Sequence, residues 1–291
     1  MISNAEVAEA VDSDLLASGI DDLLSGKPLE GALAMNRPIS PDRIYFTEIV
    51  NKVESQLGPP DLYAGGAAGV LVRWQHGPNT LTVTQEQQVT MSLRASASLD
   101  AAEAAAFRSG VGTSPGQAPS YLELPYLWQV VRRGPALELP GVVATSDWDQ
   151  LEQSLRCLLK LWVEQTSLLY EAGWCDEVAF DVSEQESGDR VLGLLQSAEE
   201  GLALFLHDDR TTSARPEPDD VVARGWQHRV RQLRAWMASF DPGPDTAETA
   251  AGIIVRELRL RGAATPLGVS LTALSSNGES RLQLPGIPLT S

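Results

Sequence analysis

Hydrophobic and polar positions change their period several times along the chain. Residues 43–57, RIYFTEIVNKVESQL, place Ile44, Ile49, Val50, Val53 and Leu57 on one side at helical spacing, and Gly58 supplies a stop. Pro59 and Pro60 then forbid continuation. Beyond them the period drops to two. A strand is expected over residues 69–75, a turn at HGPN, a second strand at TLTVTQ with Leu81 and Val83, and a third at QQVTMSLR with Val89, Met91 and Leu93. The Ala-rich run 99–109 has strong helix propensity. The predicted order is helix, three strands, helix.

A similar order returns after the small, uncharged Gly/Pro-rich stretch 110–120, which reads as a linker. A strand is expected at 126–132, with an extended partner at 136–144 after a Gly134-Pro135 turn. Thr145 or Ser146 caps a long helix that carries Asp147 and Asp149 in its first turn and ends at Gly173. Its apolar positions, Trp148, Leu151, Leu155, Leu158, Leu159, Trp162, Leu169 and Tyr170, spread widely enough to predict cover on more than one side. Three strands follow at WCDEVAFDVS, RVLGLLQS and GLALFLHD, and then a helix over 218–240. A further helix is expected at 245–261, and a hairpin at LGVSLTALSSNGESRLQLPG around the turn signal Asn277-Gly278.

These elements divide the chain into an acidic arm (1–42), a first αβββα unit (43–109), a linker (110–120), a second αβββα unit with a preceding hairpin (121–240) and a C-terminal helix and hairpin (241–291). The expected class is α+β, with antiparallel sheets flanked by helices and an internal duplication inferred from pattern rather than identity. In the arm, short helices with Ile20, Leu23 and Leu24 on a stripe would either pack on their own domain or hold a partner.

Charge changes the picture more than composition does. The formal net charge is −17, with 22 basic against 39 acidic residues. Such a field repels phosphate backbones and anionic lipid, which argues against nucleic-acid and membrane partners. No run approaches the about 20 apolar residues of a membrane span. Two cysteines, Cys157 and Cys175, form no CxxC pair, so a reducing cytoplasm is the simplest compartment.

Candidate chemistry is sparse. The three histidines, His76, His207 and His228, show no zinc spacing, and no metal or cofactor is expected. Residues Tyr63 to Val70, YAGGAAGV, resemble a phosphate loop only superficially, because they lead into a strand and not a helix. His207, Asp208 and Asp209 could in principle ligate a metal or hold a general base. Cys175 has no identifiable activating base. If residues 221–240 are helical, Arg224, His228 and Arg231 share one side, a basic patch in an acidic chain that could grip a carboxylate or phosphate. Trp74 sits mid-strand; facing solvent near Tyr63, it would mark a binding face.

The segment LGPPDLYAGG…VRWQHGPNTLTV, residues 57–83, resembles small α/β domains of actinobacterial proteins, the secretion-chaperone-like sandwich used by chaperones and toxin-immunity proteins. The resemblance, confined to about residues 43–95, implies a scaffold that binds another polypeptide on a sheet surface or edge and carries over no catalytic residue. The expected function is therefore a non-catalytic cytoplasmic chaperone, adaptor or immunity-type protein binding a protein or peptide through Tyr63, Trp74, Arg224, His228 and Arg231, with a homodimer left open. The alternative is an enzyme with a cleft between its halves, using His207, Asp208 and Asp209 or the Arg224, His228, Arg231 cluster.

Overall fold

The computed structural model describes residues 16–27, 43–85, 89–110, 120–121, 123–132, 144–171, 177–207, 218–261, 263–274 and 281–289. After α1 (16–24) come α2 (Arg43–Leu57), β1 (Leu62–Gly66), β2 (Gly69–His76), β3 (Asn79–Gln85), β4 (Val89–Ala95), α3 (Ser96–Gly110) and β5 (Trp128–Val131). The second half contributes α4 (Trp148–Glu171), β6 (Glu177–Glu184), β7 (Arg190–Ser197), β8 (Gly201–His207), α5 (Pro218–Ala223), β9 (His228–Val230), β10 (Ala235–Phe240) and α6 (Thr246–Leu260). Strands β11 (Val269–Leu274) and β12 (Arg281–Gln283) close the chain. The class is α+β, built on two six-stranded antiparallel sheets ordered β12-β5-β1-β2-β3-β4 and β11-β6-β7-β8-β10-β9.

The first half runs as a helix, four meandering strands, a second helix and a strand that returns beside the first of the four, whereas the second runs as α4, the meander β6-β7-β8, the short α5, the β9–β10 hairpin, α6 and the returning β11. In the first sheet β5 pairs with β1, and in the second β11 pairs with β6. The first half therefore contains one strand, β1, and the second half two, β9 and β10, that period two does not reveal. Residues 63–66, expected as a flexible loop, are buried in β1. The reason is close approach. A Cβ on Gly65 would collide with Gln165 and the Trp128 indole, so only glycine lets α4 lie this near the strand. The β2–β3 turn at Gly77-Pro78 holds Gly77 at φ +55°, as a type II′ turn requires at its first central position.

The element order does not repeat in full, since α5 and the β9–β10 hairpin have no counterpart in the first half, and the placement of the second helix differs as well. Trp74 donates to the Gly58 carbonyl at the end of α2 (2.9 Å), while its neighbour Arg73 pairs with Glu103 of α3. Consecutive strand residues point to opposite faces, so α2 and α3 cover opposite sides of the first sheet. In the second half α6 packs along α4. Helices thus cover both faces of the first sheet.

Helix α4 joins the halves. Its Gln165 donates to the Gly66 carbonyl (2.8 Å) and accepts from Trp128 Nε1 (3.3 Å). On the other side Trp162 meets Phe180 edge-on at 5.7 Å, and the Tyr170 hydroxyl donates to the Gln196 carbonyl (2.7 Å). One continuous core runs from Ile20 and Leu23 through α2 and α4 to Ile254 and Leu258. The described part of the arm belongs to it: Leu16, Ile20 and Leu23 are buried, and Asn79 Nδ2 donates to the Lys27 carbonyl (2.7 Å).

Two expected elements take another form. The C-terminal hairpin is not paired with itself: β11 joins β6, while β12 joins β5 in the other sheet. The chain so crosses between sheets, and Gln129 and Gln283 bond side chain to side chain. The turn signal at Asn277-Gly278 lies outside the described residues, as do 1–15, 28–42, most of the 110–120 linker and the expected strand 136–143. The helix expected over 218–240 is only α5, followed by the β9–β10 hairpin. Gly225 at φ +101° ends it, and Trp236 and Ala238 continue at a strand's spacing.

Candidate functional site

The residues singled out in the first half are structural. Trp74 is 3% exposed and Tyr63 fully buried, so no aromatic binding face exists there. The Tyr63 hydroxyl accepts from Arg132 (3.0 Å). Alternation alone does not choose the face of Trp74. The indole's bond to the end of α2 does.

The arginine cluster is rearranged by the hairpin. Arg224, at the end of α5, turns inward: its Nε lies 2.8 Å from Glu257 Oε1, which also accepts from Trp226 Nε1 at 3.1 Å. Glu257 is 1% exposed, and these two donors compensate the burial of its charge. Arg224 therefore anchors α5 to α6 and does not share a face with His228 and Arg231. Those two, with Arg229, Arg234 and Leu233, are exposed on β9 and the turn that follows. Arg234 holds φ +49°, a left-handed conformation that costs a residue bearing a Cβ about 1 kcal/mol. Residues 228–234 hold three arginines and one histidine and no acid. In a chain of net charge −17 this exposed hairpin concentrates positive charge at the end of the second sheet.

A second cluster forms on the opposite side of that sheet from α4. Phe180 faces Trp162, so Asp181, next along β6, points the other way. Asp181 is 5% exposed, and its Oδ2 lies 2.9 Å from Arg190 Nε. A Cβ built on Gly193, its partner on β7, would stand 3.1 Å from Asp181 Oδ1 and 3.3 Å from His207 Nε2. The bare glycine thus lets a carboxylate and an imidazole from two other strands lean over the middle one. Burial pushes the Asp181 carboxyl above its usual range, and Arg190 partly offsets the rise. His207 was legible as a candidate, but its expected partners Asp208 and Asp209 lie outside the described residues. Asp181 was missed because it lies 26 positions earlier and reaches the space over Gly193 beside His207 only through the sheet.

Other expectations find little to build on. Burial raises the Cys157 thiol above its ordinary value, which lowers its nucleophilicity at neutral pH, and Cys175 lies outside the described residues. Among the described residues no group of three or more His, Cys, Asp or Glu side chains converges as a metal site. An open depression of about 350 Å³ between Phe240, Pro244 and Thr249 contains neither His207 nor the exposed arginines. Among the described residues no helix is long and apolar enough to cross a membrane. No family model, no curated protein and no solved structure matches the chain.

Proposed function

We propose that the chain is a polypeptide-binding protein of the chaperone, adaptor or immunity type, acting in the cytoplasm and docking its partner at the β9–β10 hairpin. The observation that carries the reading is this hairpin: exposed, basic and at the end of a sheet, in an otherwise acidic molecule. Arginine-rich, solvent-exposed surfaces suit charge-assisted, bidentate bonds to carboxylates. The long-range field of the remaining surface opposes acidic partners elsewhere and favours their approach to this one place. Sequence resemblance to secretion-chaperone-like domains points the same way.

The test is capture from the cells that make the protein, with the native chain and the Arg229→Glu, Arg231→Glu, Arg234→Glu variant side by side. The reading expects one polypeptide recovered stoichiometrically by the native chain and lost, at least tenfold, by the variant. Equal recovery by both, or a monomer carrying a tightly held small molecule in place of a polypeptide, contradicts it.

A further inference from the structure

We infer that β9 accepts an acidic, extended segment of the partner as an added antiparallel or parallel strand. The inference rests on the docking reading above and specifies how the partner is held. Strand β9 is the last of its sheet among the described residues, and its only neighbour there is β10. In an antiparallel ladder alternate residues turn their N–H and C=O groups away from the neighbour, so at least one of its three residues offers backbone bonds outward. His228 and Arg229 are exposed and Val230 is half-buried, so side chains do not roof this edge.

The rest of the edge is already finished. β10 runs from Ala235 to Phe240, but β9 pairs only with Ala235, Trp236 and Met237. Beyond them the Gln227 side chain substitutes for a strand. Its Oε1 accepts from the Ser239 N–H (3.1 Å), and its Nε2 donates to the Ser239 carbonyl (2.9 Å). A carboxamide satisfying both backbone groups closes β10 where β9 stops, and leaves β9 as the edge that can be extended.

Charge selects the occupant. Edge strands commonly carry basic side chains that prevent identical edges from pairing. Here Arg229, Arg231 and Arg234 would repel a second copy's β9, which disfavours self-pairing at this edge. A strand with carboxylates at alternate positions reverses the sign. Arg229 pairs across from Trp236 on the face toward α4, and Val230 pairs across from Ala235 on the other. An incoming strand of alternating acidic and apolar residues therefore meets an arginine on one face and a valine on the other. Main-chain bonds give affinity in such additions, and side chains on alternate faces give selectivity.

The experiment uses the full chain and a fluorescein-labelled, end-capped dodecapeptide of alternating glutamate and valine. Two further peptides of the same sequence carry N-methyl groups on alternate residues, one set for each edge of the strand. Strand addition predicts that one methylated isomer binds at least tenfold more weakly while the other keeps its affinity, and that amide exchange at 228–230 slows on binding. It also predicts at least tenfold weaker binding by Arg229→Glu, Arg231→Glu, whose thermal midpoint serves as the check that it folds. Equal binding of all three peptides, still lost on charge reversal, overturns strand addition but leaves docking at the hairpin. No binding, or binding indifferent to charge reversal, overturns both.

Discussion

Single residues show how this acidic chain handles buried charge. Arg73 and Glu103 form a two-pronged ion pair with side chains 10% and 8% exposed. The Tyr126 hydroxyl donates to Glu103 Oε2 (3.3 Å), its ring lies 6.0 Å from the Arg73 guanidinium, and Phe107 packs edge-on against it at 5.1 Å. Burial, followed by the nearby Glu103 charge, holds the Tyr126 hydroxyl well above its usual range, so it stays a neutral donor. Removing one member of such a pair leaves the other charge uncompensated. Glu103→Ala is expected to lower stability by about 3–5 kcal/mol, while joint replacement by Arg73→Met and Glu103→Leu restores most of the loss. Denaturant unfolding of the native chain and the two variants measures both effects; a cost under about 1 kcal/mol for the single change would show that water screens the pair. None of this was legible in the sequence. Arg73 stood there only as the neighbour of Trp74, and Glu103 sat unremarked in an Ala-rich helix 30 positions later. Local patterns carry periodicity, and a buried pair is made by the sheet-to-helix approach.

At the level of elements, two glycines with different physics give a paired test. Gly65 has no room for a Cβ between β1, Trp128 and α4, whereas Gly77 has nothing within 4 Å but sits at φ +55°. Gly65→Ala must push α4 or the indole away and is expected to cost about 1–3 kcal/mol. Gly77→Ala meets only backbone strain, about 1 kcal/mol. Thermal unfolding with near-ultraviolet dichroism separates them: the first change should also alter the Trp signal, and the second should not. A silent Gly65→Ala would mean that α4 does not rest on β1 as described. The same strand shows where pattern reading stopped short. β2, β3 and β4 were legible because Leu81, Val83, Met91 and Leu93 alternate cleanly. β1, LYAGG, is buried at every position and so has no alternation to detect. The β9–β10 hairpin was mistaken for helix because Arg224, His228 and Arg231 fall at spacings of four and three. Gly225 between the first two was the signal against it.

For the whole molecule, the central helix α4 and the crossing of the C-terminal strands bind two sheets into one core, and charge is distributed unevenly over the result. The α+β class and most strands could be read from sequence. Of the candidate site, His228 and Arg231 stand on the exposed hairpin while Arg224, Tyr63 and Trp74 are held inside. Whether a polypeptide docks at the hairpin is decided by site-specific photo-crosslinking inside the producing cells. A photoreactive side chain replaces Gln232, exposed in the β9–β10 turn, or Gln75, exposed at the end of β2 in the other sheet. Docking at the hairpin predicts one discrete heteromeric adduct from position 232 and none from 75. Adducts from 75 alone, or from neither, would contradict it.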